Sequence, residues 1–404
     1  MHGKGATEDG AFYKGLRVLD VAQGFAGPYC GSLLAAQGAD VVKVEPPGGD
    51  WARRTGRQIG NNTAFGLVPN LNKRGVCIDA TTKAGRDVLR RLALAADVVI
   101  QNFRPGVPER LGIGERQLRP AAPDLVYVSI SGFGEDGPWA GRPATDTILQ
   151  GFAGLMTLNR DSAGTPRRVD FSLIDVAAGV YAAQRAGAAL YRRATGGGGA
   201  HIRLSLLEVA TALQAAPLLD QALVEAGAGG SQQPLGVPLG MFATADGYVN
   251  LSCISDRMFA GICRAIGRID WLEDPRFAAA KGRLAHAAEI TAGVVAALRV
   301  QPTASWVEAF AREDVLCGPV QDHAALLSDP QARAARLFGR LSLPGLSATV
   351  PVACLPGEVR DDTSFHRVPE LGEHTTEVLR EHGYTGNEIA ELAATGAIYC
   401  AVSA

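Results

Sequence analysis

Two hydrophobic rhythms alternate along the first half of the chain. Short runs rich in Val, Leu and Ile sit between turn residues, and each is followed by a stretch whose apolar positions recur at helical spacing. LRVLDVA (16–22) predicts a buried strand. GPYCGSLLAAQ (27–37) predicts a helix with Pro28 in its first turn, where a missing N–H is tolerated, and Gly38 ends it. ADVVKVE (39–45) then predicts a second strand. A strand, helix and strand in this order imply a right-handed crossover and parallel pairing. The pattern recurs with a helix over 84–94 and strands over 97–101 (DVVIQ) and 124–130 (DLVYVSI). Together these predict an α/β fold: an open, Rossmann-like parallel sheet with helices on both faces.

An Ala-rich helix is expected over 175–191, its small side chains permitting close backbone packing. TGGGGA (195–200) reads as a turn into a short strand, HIRL. Ser205, three residues before Glu208 and ahead of an apolar run, is a capping-box signature for another helix. The Gly/Gln/Pro-rich stretch 226–240 breaks the rhythm and marks a boundary. Beyond it GYVNLSC predicts a strand, helices continue to about 312, Gly318-Pro319 reads as a turn, LGEH (371–374) as another, and a last helix ends near Glu381. The expected organisation is a large α/β domain over 1–225, a smaller α+β domain over 226–325, and a segment, 326–404, returning to the large domain.

Charge and cysteine usage narrow the partners. Lys+Arg number 39 against Asp+Glu 41, a net charge of −2, which argues against nucleic acid. The seven cysteines are odd in number and scattered, with no CxxC, so a reduced, cytoplasmic protein is expected. The N-terminal stretch lacks the apolar core of a signal peptide, and no run of 18 apolar residues exists to span a membrane.

The chemistry is reached first by elimination. The loop after the first strand, Gly24-Phe25-Ala26-Gly27-Pro28, is not GxGxxG, so NAD or FAD is not expected. There is no P-loop, no GxSxG elbow and no HxxxH, and no metal site is expected. No histidine lies between His2 and His201, so chemistry in the N-terminal half falls to carboxylates, amides, backbone donors and Lys/Arg. A carboxylate nucleophile has one advantage with thioesters. It yields a mixed anhydride that stays activated, whereas serine yields an ester too stable to return the thioester readily.

The chain resembles the class III CoA-transferases, the family of formyl-CoA and carnitine CoA-transferases. The resemblance is carried, in order, by LRVLDVAQGFAGPYCGSLLAAQGADVVKVEPPGGD (16–50), NLNKRGVCID (70–79), ADVVIQNFRPGVPERLGIG (96–114), LVYVSISGFGEDGP (125–138), DVAAGVYAAQ (175–184) and LGEHTTEVL (371–379). It implies a transferase moving CoA from an acyl-CoA to a free carboxylic acid, with CoA thioesters as substrates and no permanently bound cofactor. The family nucleophile, an aspartate in D-x-x-x-G-x-x-A-A, matches Asp175, with Gly179, Ala182 and Ala183 following. On the residues alone Asp175 reads first as a helix cap, its carboxylate kept ionised by the helix amides, and it is the resemblance that turns the reading to a nucleophile.

The resemblance further implies CoA contacts from Asn72, Lys73, Arg74, Asn102, Phe103 and Arg110, with Gln23, Phe25 and Ala26 at the thioester end. Arg53 and Arg54, after the PGGD turn, are candidates for phosphate or a substrate carboxylate, and equally for solvated loop residues. Gly236 and Gly240 in GVPLG are the counterpart of the glycine-rich loop that shields the intermediate in some members. An interlocked homodimer is implied in the same way. Departures exist: TGGGGAH stands where TGxGQ is usual. Two other readings remain. α-Methylacyl-CoA racemases share the fold but use a histidine after the SGFG-like segment, where this chain has GFGEDGPWAGRPATD with Asp146 and no histidine. The third is a non-catalytic acyl-CoA-binding paralogue.

Overall fold

In the computed structural model, residues 11–228, 236–343, 346–357 and 365–401 are described. They form two compact units, 1–222 with 336–404, and 223–335. The expected boundary stretch, 226–240, lies partly outside the described residues. The second unit runs on past 325, because the helices His323–Ser328 and Pro330–Ala334 belong to it.

The first unit is built on a seven-stranded sheet. Its parallel strands are β1 (Arg17–Asp20), β2 (Asp40–Glu45), β3 (Arg74–Ile78), β4 (Val98–Gln101), β5 (Val126–Ser131) and β6 (Ala200–Ser205). The order is β3-β2-β1-β4-β5-β6, and the short strand Ile398–Tyr399 lies antiparallel outside β3. The chain moves from β1 through β2 to β3 on one side, then returns to place β4 on the other side of β1. That reversal makes a topological switch point, where a crevice opens beyond the carboxyl ends of β1 and β4.

Alternate residues of each strand feed opposite faces. Val18, Val98, Ile100, Val126 and Val128 join one core with α1 (Ala26–Ala36), α4 (Leu173–Ala194) and α5 (Leu206–Leu213). Leu19, Val42, Val76, Val99 and Tyr127 join the other with α2 (Lys83–Ala95) and the helices Thr375–Glu381 and Gly386–Ala394. Both faces are therefore covered, as a parallel sheet requires. A short helix, α3 (Asp146–Phe152), packs beside α4.

The long helix carries the feature that places the site. Between Ile174 and Leu190 its buried face, Ala178, Gly179, Ala182, Ala183, Ala186 and Ala189, carries only small residues. A Cβ at Gly179 would lie 2.8 Å from Tyr29 Cδ1 and 3.0 Å from the Ala26 carbonyl oxygen, so α1 approaches as closely as glycine allows. Ser205 and Glu208 form the expected capping box at the start of α5.

The second unit has a three-stranded antiparallel sheet, Leu316–Pro319 beside Tyr248–Ser252 beside Leu239–Ala243, with helices including Asp256–Ala265, Ala287–Leu298 and Thr303–Arg312 around its core. Gly318-Pro319 ends an edge strand instead of forming a turn, a position where proline costs no ladder bond.

Candidate active site

The loop after β1 is fixed almost atom by atom. Ala22 donates its N–H to Asp20 Oδ1 at 3.0 Å, and its carbonyl accepts from the Lys43 ammonium. Gln23 is clamped at both backbone groups by one side chain: its N–H donates to Asn102 Oδ1 at 2.8 Å, and its C=O accepts from Asn102 Nδ2 at 2.6 Å. Gly24 donates to both oxygens of Asp50, which also receives Lys43 at 3.2 Å. Gly24 has φ +77°, and a Cβ there would strike the Trp51 ring, so the close turn needs glycine. Asn102 begins the loop after β4, so its amide bridges the two strand ends that define the switch point.

A cavity of about 210 Å³ opens there, lined by Gln23, Phe25, Trp51, Asn102, Phe103, Arg104, Ser131, Arg142 and Asp175 among others. The lining rings of Phe25 and Trp51 are joined by Phe65 packed between them, with ring centroids 5.1 Å and 5.6 Å apart. Arg104 and Arg142 are the cations of the lining, and Arg142 stacks on Trp139 at 3.8 Å. Among the described lining residues Asp175 is the one acid, and no histidine or cysteine is present. Among the described residues no group of three or more His, Cys, Asp or Glu side chains is placed to hold a metal ion. No described helix is long and apolar enough to cross a membrane.

Asp175 is not the cap of its helix. The helix begins at Leu173, and its free amides are taken by Asp146 of α3, whose Oδ2 accepts from Ile174 N at 2.6 Å and Asp175 N at 3.1 Å. The expected stabilisation of an ionised Asp175 by the helix amides is thus overturned. Burial, and then the neighbouring Asp146, push its carboxyl up to about 7 from the ordinary 3.8. The dipole cannot compensate, because its exposed N–H groups are already spent on another carboxylate.

The other expected positions divide sharply. Gln23, Phe25, Ala26, Asn102 and Phe103 all line the cavity with Asp175. Asn102 does so with its amide oxygen and one amide N–H engaged by the Gln23 backbone, and Phe103 N is held by Gln101 Oε1 at 2.8 Å. Lys73 is buried instead of facing solvent or phosphate. Its ammonium meets Asp20 at 2.7 Å, the Pro28 and Pro69 carbonyls at 2.6 and 2.7 Å, and Asn70 at 3.1 Å, leaving no proton for a ligand. Burial holds it down to about 8. Arg74 stands at the amino end of β3, the wrong end of a parallel strand for the crevice, and pairs with Asp40, Glu377 and Glu381.

Asn72 bonds to His366 and to the Arg367 backbone. Arg53 is buried in a two-pronged pair with Glu45, at 2.7 and 2.6 Å, and also reaches the Pro369 carbonyl. Arg54 donates to Gly48 O, and Arg110 to Gly106 O; both are exposed and neither lines the cavity. Gly236 packs so tightly on the Cys253 carbonyl that no Cβ fits, and Gly240 pairs with Leu251 inside a strand, so GVPLG is built into the second unit's sheet.

Sequence reasoning missed Trp51, Arg104 and Arg142 as lining residues. Arg104 directly follows Asn102-Phe103 in NFRPG, inside a quoted motif, and Trp51 stands immediately after the PGGD turn that ends another.

Comparison with known proteins gives the family. The model for CoA-transferase family III matches residues 13–375. A probable fatty acyl-CoA transferase of Mycobacterium tuberculosis is 35% identical over 73% of this chain and 78% of its own. An acetyl-CoA:oxalate CoA-transferase of Acetobacter aceti is 34% identical, covering 82% and 87%. A crystal structure of a CaiB/BaiF family protein from Brucella suis superposes with TM-score 0.79 at 30% identity, covering 91% of this chain and 98% of that one. A motif series in register, a switch-point crevice holding a single acid, and a family match across nearly the whole length converge: the chain belongs to CoA-transferase family III.

Proposed function

We propose that the protein transfers CoA from an acyl-CoA donor to a free carboxylic acid, with Asp175 as the covalent carrier. The observation that carries this reading is the lone carboxylate in the switch-point cavity, held at about 7 by burial and a neighbouring acid. A carboxylate with a raised pKa is the stronger nucleophile, and near neutral pH it is still substantially ionised.

In the reaction we propose, an Asp175 oxygen attacks the donor's thioester carbonyl carbon. The C–S bond breaks and CoA leaves as thiolate, giving an aspartyl–acyl anhydride. The thiolate then attacks the aspartyl carbonyl, releasing the donor acid and leaving an enzyme–CoA thioester. The acceptor carboxylate forms a second anhydride, and CoA returns to its acyl carbon. Arg104 and Arg142 supply positive charge for CoA phosphates or the acceptor carboxylate. Phe25 and Trp51, backed by Phe65, suit an apolar acyl or pantetheine segment and limit water, which would hydrolyse the anhydrides.

The functional form we propose is a homodimer in the cytoplasm. The helix Ala215–Glu225 supports association, since it buries none of its residues and exposes Leu218, Leu219, Leu223 and Val224. Light scattering after size exclusion tests it.

The central test is a panel of acyl-CoA donors against small mono- and dicarboxylates, read by mass spectrometry of the CoA products. Exchange that is lost in Asp175→Asn, with CoA binding retained, is the expected result. Exchange persisting in that variant would refute the carrier role. Deuterium exchange at an acyl α-carbon without CoA transfer would favour a racemase.

A further inference from the structure

Asp146 holds a buried acid where no cation answers it. It is 6% exposed, and no Lys, Arg or His among the described residues forms an ion pair with it. Every bond it makes is as an acceptor: from Ile174 N, from Asp175 N, and from Gln150 Nε2 at 2.6 Å. That is the pattern of an ionised carboxylate. Gln150 is itself fixed, its Oε1 accepting from Val169 N at 2.9 Å and its amide also reaching the Val169 carbonyl. Two bonds therefore tie α3 to the first turn of α4, and one of them ends on the backbone of Asp175 itself.

We propose that Asp146 is a positioning residue for Asp175: it closes the amide end of α4 and keeps a fixed negative charge beside the nucleophile, a repulsion released when Asp175 is acylated. The inference rests on the carrier role of Asp175. As a free carboxylate, Asp175 sits partly buried beside a like charge. When its oxygen bonds to the thioester carbon and the C–S electron pair leaves with CoA, the negative charge departs on the thiolate. The anhydride and the later enzyme–CoA thioester are neutral at Asp175, so the repulsion is absent from both covalent states. The resting enzyme is thus raised relative to its intermediates, a gain confined to the reacting group.

The other charged groups of the surrounding elements act differently. Arg104 and Arg142 lie on loops lining the same cavity. Tyr29 of α1 packs over Gly179. Glu208 of α5 is spent on the Ser205 cap, and His201 of β6 bonds to Ser129. Asp146 is the neighbour that opposes ionisation of Asp175.

The test compares wild type with Asp146→Asn and Asp146→Ser in the full chain. Both variants remove the charge, and asparagine retains an oxygen placed to accept from the helix amides, whereas serine does not. The first readout is the acid limb of kcat/KM against pH, using the most active donor–acceptor pair of the panel above. The second is the fraction of enzyme trapped as the CoA thioester at Asp175 under saturating donor, by mass spectrometry of acid-quenched peptides. In wild type the acid limb should fall near 7, and in both variants it should move to lower pH by roughly one unit, since a like charge raises a carboxyl pKa. The trapped fraction should drop roughly tenfold, the free-energy equivalent of that shift. A merely structural cap would lower kcat without moving the limb. Limbs coinciding with wild type and an unchanged trapped fraction would overturn the proposal while leaving the carrier role intact. No adduct in wild type, with exchange surviving Asp175→Asn, would instead overturn the carrier role.

Discussion

Asn102→Ala separates positioning from binding at the switch point. The side chain makes both of its short bonds to the backbone of Gln23, at 2.8 and 2.6 Å, and so ties the end of β1 to the end of β4. Removing two partly buried bonds at roughly 1 kcal/mol net each should cost about 2 kcal/mol of stability. In a unit of this size that corresponds to a fall in Tm of about 4 °C. The larger effect should be kinetic. Gln23, Phe25 and Ala26 all line the cavity, and their loop would lose its cross-strand anchor. A displacement of the order of 1 Å at a reacting centre costs roughly 100-fold in rate. The expected outcome is a large drop in kcat with KM for the acyl-CoA donor changed less than about threefold, because both bonds of the amide go to the Gln23 backbone. Steady-state kinetics with calorimetry on the same preparation measures both. If KM rises while kcat stays at the wild-type value, Asn102 binds substrate directly and the clamp argument is wrong.

Three other outcomes follow from the geometry. Asp175→Asn should stabilise the fold at pH 8. A carboxyl raised to about 7 contributes stability that is full below its unfolded pKa and is lost as pH climbs from about 4 through 7. The variant's advantage, bounded at about 4 kcal/mol, should therefore vanish near pH 4 in urea titrations; an advantage independent of pH would contradict this. Lys73→Met should cost about 3–5 kcal/mol by leaving Asp20 charged and buried, and adding Asp20→Asn should recover much of it. CoA affinity by calorimetry should be little altered in that double variant, and a large loss would restore Lys73 as a ligand contact. Gly179→Ala, forced against Tyr29 and the Ala26 carbonyl, should cost about 1–3 kcal/mol by thermal denaturation, whereas an unchanged Tm would show that α1 yields freely.

The elements around the site were legible because their signals are local. The helix expected over 27–37 appears as Ala26–Ala36, and the strand expected over 39–45 as Asp40–Glu45. The Ser205 cap was readable because both partners lie within one turn. Cations were misread for the opposite reason. A sequence shows that Lys73, Arg53 and Arg74 are charged, but not that Asp20, Glu45 and Asp40 lie against them in space. The environment of Asp175 was hidden likewise. Its position at the head of a long helix suggested free amides, and those amides had been claimed by an acid 28 positions upstream of the first. Gly318-Pro319 carried a turn signal that an edge strand can also accommodate.

The strand Ile398–Tyr399 has a consequence for biogenesis. It hydrogen-bonds along the outer side of β3, and the same tail seats Thr375 on Cys77 N and His374 on Gly75 N. Until that tail emerges from the ribosome, β3 presents an unpaired row of amides and carbonyls, a template for strand addition by another nascent chain. Synthesis of the entire second unit intervenes. Translation arrested before residue 370 should thus leave the outer side of β3 open, and such a product is expected to aggregate more readily than the full chain.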